Sequence, residues 1–206
     1  MLQLLAATTN KHKIQEFRDM FSGLEDKISI ISPDSIENFP KLIEDGNTFE
    51  KNSVLKACQA SRYADMAAFA DDSGLEVEAL HGAPGVFSAR YAGEGALDAD
   101  RIAKLLKEME GVKNRRARFV SVISLAYRGD LVESFRGELS GTILEAPRGE
   151  NGFGYDPLFV PDGYEQTFAE MPPELKDRIS HRARAFRLAA EFIKQELATM
   201  DDFEFE

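Results

Sequence analysis

The chain has 206 residues, 43% of them hydrophobic and 30% charged, which fits a globular domain with a sizeable core and excludes a disordered or fibrous chain. Its 25 lysines and arginines against 36 acids leave a net charge of −11, which excludes a broad basic face coating a nucleic acid polymer. One cysteine, Cys58, excludes an internal disulfide and a cysteine-cluster metal site, and no apolar run approaches the roughly 18 residues of a membrane span. The apolar stretch Leu2 to Ala7 lacks the basic head of a secretory signal, so the expected location is cytoplasmic, with no membrane partner.

Met1 to Ala7 is a short apolar run that stops at Thr8, Thr9 and Asn10, after which Ile14, Phe17 and Phe21 recur at helical spacing; strand, loop and helix are predicted. Lys27 to Ile31 reads as a second strand. A proline-containing loop from Ser32 to Asn47 leads to Thr48, the N-cap expected for a helix reaching about Met66, and Ala67 to Ala70 reads as a buried strand. This alternation predicts an α/β arrangement with right-handed crossovers. Leu75 to Leu80 and Arg115 to Tyr127 read as strands around a helix from Asp98 to Met109, whose Ile102, Leu105, Leu106 and Met109 share one face. Gly129 and Asp130 mark a hairpin into a strand ending at Ile143, which makes the sheet mixed. A glycine-rich loop, Gly149 to Asp156, precedes a short strand, Pro157 to Pro161. The last helix is expected over Ser180 to Ala198, with Phe186, Ala189, Ala190, Ile193 and Leu197 on one face, followed by a frayed acidic tail, Asp201 to Glu206. No internal repeat or low-complexity linker divides residues 1–200, which read as one domain.

Two helix starts oppose the helix dipole, whose amino end carries roughly half a positive charge and favours acids in the first turn. Asn10 is followed by Lys11, His12 and Lys13, and Ser180 by His181 and Arg182. An anion at each start turns both conflicts into attractions, and phosphate is the anion such sites suit. Solvated side chains are the plainer explanation of either start alone. Lys11 and His12 are expected at the surface in both readings, since only some positions of a first turn face one ligand. The basic island Lys176, Arg178, Arg182, Arg184 and Arg187 inside an acidic chain suits one compact polyanion.

Asp71 and Asp72 end the apolar run Ala67 to Ala70, and neighbouring strand residues point to opposite faces, so one of the two faces a site. A turn formed by Asp-Ser-Gly is the structural alternative. Strand ends are where open α/β sheets bind ligands, which places the acid beside Thr8 to Lys13. Two like charges 4 Å apart repel by about 4 kcal/mol at an effective dielectric of about 20, so a carboxylate beside a polyphosphate calls for a divalent cation. Mg²⁺ takes one or two protein carboxylates with waters and phosphate oxygens, and Glu44 or Asp45 is a candidate second ligand. Gly152, Phe153, Gly154, Tyr155 and Asp156 combine close backbone approach, two aromatics for stacking on a base and an acid to read its edge; a lid over the core is the alternative.

Six segments in order resemble the inosine triphosphate pyrophosphatase family: Thr8–Lys13 (TTNKHK), Glu44–Phe49 (EDGNTF), Ala70–Val77 (ADDSGLEV), Gly82–Gly93 (GAPGVFSARYAG), Gly152–Phe159 (GFGYDPLF) and Lys176–Ala185 (KDRISHRARA). The resemblance implies an elongated mixed β-sheet flanked by helices, in two lobes with the active cleft between them, and assembly as a homodimer. It implies hydrolysis of noncanonical purine nucleoside triphosphates, those of inosine, deoxyinosine and xanthosine, to the monophosphate and pyrophosphate with Mg²⁺ as cofactor. By matching position, Asp72 is the catalytic residue and a metal ligand, and Glu44 is a further metal ligand. The substrate-binding set is Thr8, Thr9, Asn10, Lys11, His12 and Lys13 toward the phosphates, with Ser73, Phe153, Gly154, Tyr155, Asp156, Lys176, His181 and Arg182 toward the nucleotide.

Two positions depart from the family pattern. Lys51 stands where an acid is usual, with Glu50 as a possible substitute, and Asn151 stands where a glycine often precedes the Gly-Phe-Gly-Tyr-Asp segment. Two other functions fit the same residues: a sensor that holds a triphosphate without cleaving it, and a phosphatase that releases orthophosphate.

Overall fold

A computed structural model describes residues 2–21 and 27–203; the side chains of residues 11, 12, 16, 19, 20 and 197–203 fall outside the description. Six strands form one sheet in the order β2-β1-β3-β4-β5-β6. The chain divides into two units, the first comprising Met1–Asp72, Val122–Arg136 and Arg184–Glu206, the second Ser73–Ser121 and Gly137–Ala183.

In the first unit, β1 (Leu2–Ala6) buries consecutive residues Leu4, Leu5 and Ala6, the pattern of a strand covered on both faces of a parallel sheet. It pairs in parallel with β2 (Ile28–Ile31), Leu2 opposite Ile28, and with β3 (Ala68–Val77), Leu5 opposite Ala68. On one face Leu4, Ala6 and Phe69 meet Ile14 and Phe17 of α1 (Lys11–Met20) and Phe186, Ala189 and Ile193 of α5 (His181–Phe203). Phe17 is fully buried and meets the Phe69 ring edge-on at 4.6 Å, a side chain whose removal from water alone contributes about 1.5–3 kcal/mol. On the other face Leu5, Ala7, Ala68 and Ala70 meet Ala57 and Ala60 of α2 (Phe49–Ala64). Small side chains on both sides let α2 lie close to the sheet, and its polar Asn52, Ser53 and Lys56 are buried along the same stripe. Thr48 caps this helix as predicted, its hydroxyl accepting the Lys51 N–H at 3.2 Å.

In the second unit, α3 (Asp98–Glu108) packs Leu105 and the following Met109 with Leu75 and Val77 of β3, Phe119 of β4 (Arg116–Tyr127) and Leu139 and Ile143 of β5 (Asp130–Ile143). β6 (Phe159–Pro161) runs antiparallel to β5, Ile143 opposite Phe159, so the sheet is mixed as expected. Phe159, Phe168 and Leu158 close the core beside α4 (Pro173–Ile179).

Four expectations change. The strands drawn separately at Ala67–Ala70 and Leu75–Leu80 are one strand, Ala68–Val77, followed by a short 3-10 turn at Glu78–Leu80. Asp71 and Asp72 therefore sit inside a strand rather than at its end, and the Asp-Ser-Gly turn is not formed; their charges are met by lysines, which lets the strand continue. Gly74 contributes as well, since a Cβ there would lie 2.6 Å from the Gly85 carbonyl oxygen. The hairpin turn is Arg128–Gly129, both with positive φ (51° and 92°), the pairing required by a two-residue turn, so Asp130 already belongs to β5. α4 was not marked by any apolar period over its seven residues, and α5 extends through Phe203, taking in the first residues of the expected tail; residues 204–206 lie outside the described ones.

Candidate active site

The first unit gathers a cluster of lysines and carboxylates around β3. Asp71 and Asp72, adjacent on an extended strand, point to different partners. The Lys13 ammonium pairs with the Asp71 carboxylate and lies 3.5 Å from the Asp71 carbonyl oxygen. Lys56, 5% exposed, donates to the Asp71 carbonyl at 2.9 Å, to Asp72 Oδ1 at 3.2 Å and to Glu44 Oε1 at 2.9 Å. Asn52 Nδ2 donates to Asp72 Oδ2 at 3.1 Å, while its own Oδ1 accepts the Gly46 N–H at 2.8 Å. One amide thus fixes both the strand acid and the loop that carries Glu44. Ser53 anchors the helix to the strand through the Ala70 carbonyl at 2.9 Å.

Two cations, Lys13 and Lys56, face three carboxylates, Asp71, Asp72 and Glu44, in this cluster. Desolvation pushes the Asp72 carboxyl above the ordinary aspartate range, and Lys56, Lys13 and the Asn52 amide only partly offset it. Burial works to lower Lys56, but attraction to Asp72 and Glu44 outweighs it and holds the ammonium above its ordinary value. Asp72 is consequently a carboxylate whose proton affinity is raised while a permanent cation lies in contact with it.

The loop before α1 is self-capped. Thr8 Oγ1 accepts the Asn10 N–H at 3.2 Å, and Asn10 Oδ1 accepts the Lys13 N–H at 3.4 Å, so Asn10 serves as the N-cap. Neither α1 nor α5 has an acid in its first turn. Thr9 is exposed, and the Lys11 and His12 side chains lie outside the described residues. The two candidate loop acids, Glu44 and Asp45, are both exposed, and Glu44 joins the cluster through Lys56. Glu50 pairs with Arg136, and Lys51 Nζ donates to Asn47 Oδ1 at 3.0 Å.

The second unit gathers the remaining predicted residues. Asp156 Oδ2 accepts from Lys176 Nζ at 2.6 Å and from the Phe153 N–H at 2.8 Å. Lys176 Nζ stands 4.6 Å from the Phe153 ring centroid and the Arg182 guanidinium carbon 5.7 Å from it, so this ring carries two cations. Arg182 also donates to Ser73 Oγ at 3.1 Å, and the His181 ring stacks on Phe119 with centroids 4.7 Å apart. Gly152 and Gly154 hold φ of 76° and 61°, and a Cβ on Gly152 would strike the Asp156 carboxylate.

Two side chains of the glycine-aromatic loop are turned inward. Tyr155 is 4% exposed, lies in the core and donates its hydroxyl to the Ser88 carbonyl at 2.9 Å, whereas Phe153 is half-buried beside Lys176 and Arg182. Asp156, 3% exposed, ties Lys176 to the loop; burial raises its pKa against the pull of Lys176. The sequence reading missed Asn52 and Lys56. Their signal is visible in retrospect: Phe49, Asn52, Ser53, Lys56, Ala57 and Ala60 follow helical spacing, so two strongly polar residues occupy the buried stripe of α2.

Comparison with known proteins identifies the family. Residues 4–192 match the Ham1 family. A dITP/XTP pyrophosphatase of Deinococcus deserti is 49% identical over 183 residues, covering 89% of this chain and 85% of the relative. A dITP/XTP pyrophosphatase of Geobacter sulfurreducens is 46% identical over 190 residues, 91% of this chain and 94% of the relative. Among solved structures, the Ham1 protein of Staphylococcus aureus superposes with a TM-score of 0.86 at 39% identity, covering 94% of this chain and 99% of that one. A HAM1 protein from Coxiella burnetii gives 0.88 at 38% identity over 95% and 100%. With a family match across most of its length and relatives of this similarity, the chain belongs to the Ham1 family.

Proposed function

We propose that this protein hydrolyses noncanonical purine nucleoside triphosphates, those of inosine, deoxyinosine and xanthosine, to the monophosphate and pyrophosphate, and so removes them from the nucleotide pool. The observation that carries the reading is Asp72: a buried carboxylate with raised proton affinity, oriented by Asn52 and Lys56, in a chain whose relatives are dITP/XTP pyrophosphatases. In this reading Asp72 accepts the proton of a water attacking the α-phosphorus, and Lys13 and Lys56 offset the charge that gathers on the phosphates. No covalent intermediate is required. Thr8, Thr9, Asn10, Lys11 and His12 complete the phosphate-binding loop.

Among the described residues no group of three or more histidine, cysteine or acidic side chains is placed to hold a metal. The donor set nevertheless fits Mg²⁺, which binds one or two carboxylates and takes its remaining ligands from waters and substrate phosphates. Asp72 and Glu44 would hold it, exchanging their shared contact with Lys56 for contact with the ion. When bound, Mg²⁺ supplies Lewis-acid stabilisation of phosphate charge.

Phe153 offers its ring to the purine, while Ser73, Gly154, Tyr155, Asp156, Lys176, His181 and Arg182 shape or line the nucleotide site. Donors such as Lys176 and Arg182 suit the 6-oxo group of hypoxanthine and xanthine. An adenine amino group would face donors instead, at a cost of about 1–3 kcal/mol per unpaired group. Residues 1–200 act as one functional domain, the working assembly is a homodimer, and the setting is cytoplasmic. Among the described residues no helix is long and apolar enough to cross a membrane.

Incubation of purified protein with inosine triphosphate and Mg²⁺, followed by product identification, tests the reading. Monophosphate with pyrophosphate supports it. Diphosphate with orthophosphate assigns a phosphatase, and intact substrate with measurable binding assigns a sensor.

A further inference from the structure

The glycine-aromatic loop is held from outside by a residue that neither the motif nor the proposed reaction includes. Asp98, the first residue of α3, accepts the Gly154 N–H on Oδ2 at 2.7 Å. Its other oxygen, Oδ1, pairs with Arg101 one turn along the same helix. Arg101 in turn donates through Nη1 to the Ala89 carbonyl at 2.6 Å and the Ala96 carbonyl at 2.9 Å. One guanidinium therefore ties the acid to the segment that precedes α3, and the acid ties that assembly to the middle of the loop.

This connection matters because the loop is intrinsically loose. Gly152 and Gly154 both adopt left-handed backbone, and glycine loses more conformational freedom on ordering than any other residue. Phe153 lies between them, so its ring direction depends on how the two flanking peptides are fixed as well as on the Lys176 and Arg182 cations against the ring. The Phe153 N–H is held from within the loop by Asp156, and Tyr155 is held by the Ser88 carbonyl. The Gly154 amide is a further fixed point, on the C-terminal side of Phe153, and it is held by an ionised acceptor, the stronger class of hydrogen bond. Burial works to raise the Asp98 pKa, but the Arg101 and Gly154 contacts outweigh it, so the side chain remains a carboxylate.

We propose that Asp98, oriented by Arg101, is a positioning residue that sets the Phe153 loop for purine binding and so governs base selectivity without touching substrate. The proposal rests on the pyrophosphatase reading for its kinetic consequence and on the loop alone for its structural one. The test uses Asp98→Ala and Asp98→Asn in the full chain, with steady-state kinetics on inosine, guanosine and adenosine triphosphates and amide hydrogen exchange at residues 152–155. Loss of one charge-assisted hydrogen bond predicts that Asp98→Ala raises KM for inosine triphosphate about ten- to a hundredfold, with kcat near the parent value and reduced preference over adenosine triphosphate. Asp98→Asn, which keeps an acceptor, is expected to fall between parent and Asp98→Ala and covers the case in which Asp98→Ala does not fold. Gly154 exchange should accelerate in the same order. Unchanged Gly154 exchange overturns the proposal, as does faster exchange with unaltered KM and base preference, which would leave Asp98 a purely structural contact. A parent protein that fails to hydrolyse inosine triphosphate overturns the pyrophosphatase reading instead. The exchange data, with equilibrium binding of inosine and adenosine triphosphates replacing KM, then decide the role of Asp98.

Discussion

The Lys56 ammonium lies 3.2 Å from the Asp72 carboxylate, and both side chains are withdrawn from solvent. A buried ion pair adds little over an apolar replacement of both members, yet removing one member strands the other charge in a poor solvent. Lys56→Met is expected to cost about 3–5 kcal/mol of stability in denaturant unfolding. The double variant Lys56→Met with Asp72→Asn should recover part of that loss, because the stranded charge is then absent.

With Asp72 as the proposed base, acid sensitivity is expected in a defined direction. Burial raises its carboxyl above the ordinary aspartate value of 3.8, and the neighbouring lysines do not fully compensate. The folded chain therefore binds this proton more readily than the unfolded chain, so the Asp72 contribution to stability falls as pH rises from the ordinary value through the raised one. Lys56, whose ammonium is held above its ordinary value, contributes stability that is complete below its unfolded pKa and is lost as pH rises through the folded one. A base must be ionised to act, so the acid limb of kcat/KM against pH is expected above 3.8. In Lys56→Met that limb should move to still higher pH. Initial rates over a pH series check both statements.

Gly152 is constrained twice, by a φ of 76° and by the Asp156 carboxylate in the space a Cβ would occupy. Gly152→Ala is expected to cost about 1–3 kcal/mol of stability through backbone strain. It should also raise KM for the nucleotide, because displacing Asp156 releases both the Phe153 amide and Lys176. Unfolding curves and steady-state kinetics on one preparation measure the two effects.

At the start of α2, the Thr48 hydroxyl satisfies the Lys51 N–H. Thr48→Ala is expected to lower stability by about 1 kcal/mol, the usual loss on deleting an N-cap, and denaturant unfolding reads it directly.

Much of this fold was legible in the sequence where apolar spacing or capping chemistry was strong. Leu2 to Ala7, the Ile14–Phe17–Phe21 stripe, Thr48 and the Leu105–Met109 face all mark elements that form. The reading failed where a charge has a distant partner. Asp71 and Asp72 look like the end of a strand until Lys13 and Lys56 are seen to meet them, and neither contact is local in sequence. Tyr155 and Asp156 read as ligand-facing because they belong to a glycine-rich loop, but burial of the ring and the Lys176 pair turn both inward. Asp98 gave no signal beyond a favourable acid in a first turn, since its acceptor role depends on a loop 56 residues away.

In the proposed mechanism Asp72 is the base, and replacing it by asparagine keeps the size while removing that base; turnover should fall by about 10²–10⁴ with the fold retained. The most direct measurement is hydrolysis of inosine triphosphate with Mg²⁺ in water enriched in oxygen-18, followed by mass analysis of the products. Attack at the α-phosphorus predicts one heavy oxygen in inosine monophosphate and none in pyrophosphate, at a rate that collapses in Asp72→Asn. Label in pyrophosphate or in orthophosphate, or undiminished turnover in Asp72→Asn, would contradict the account.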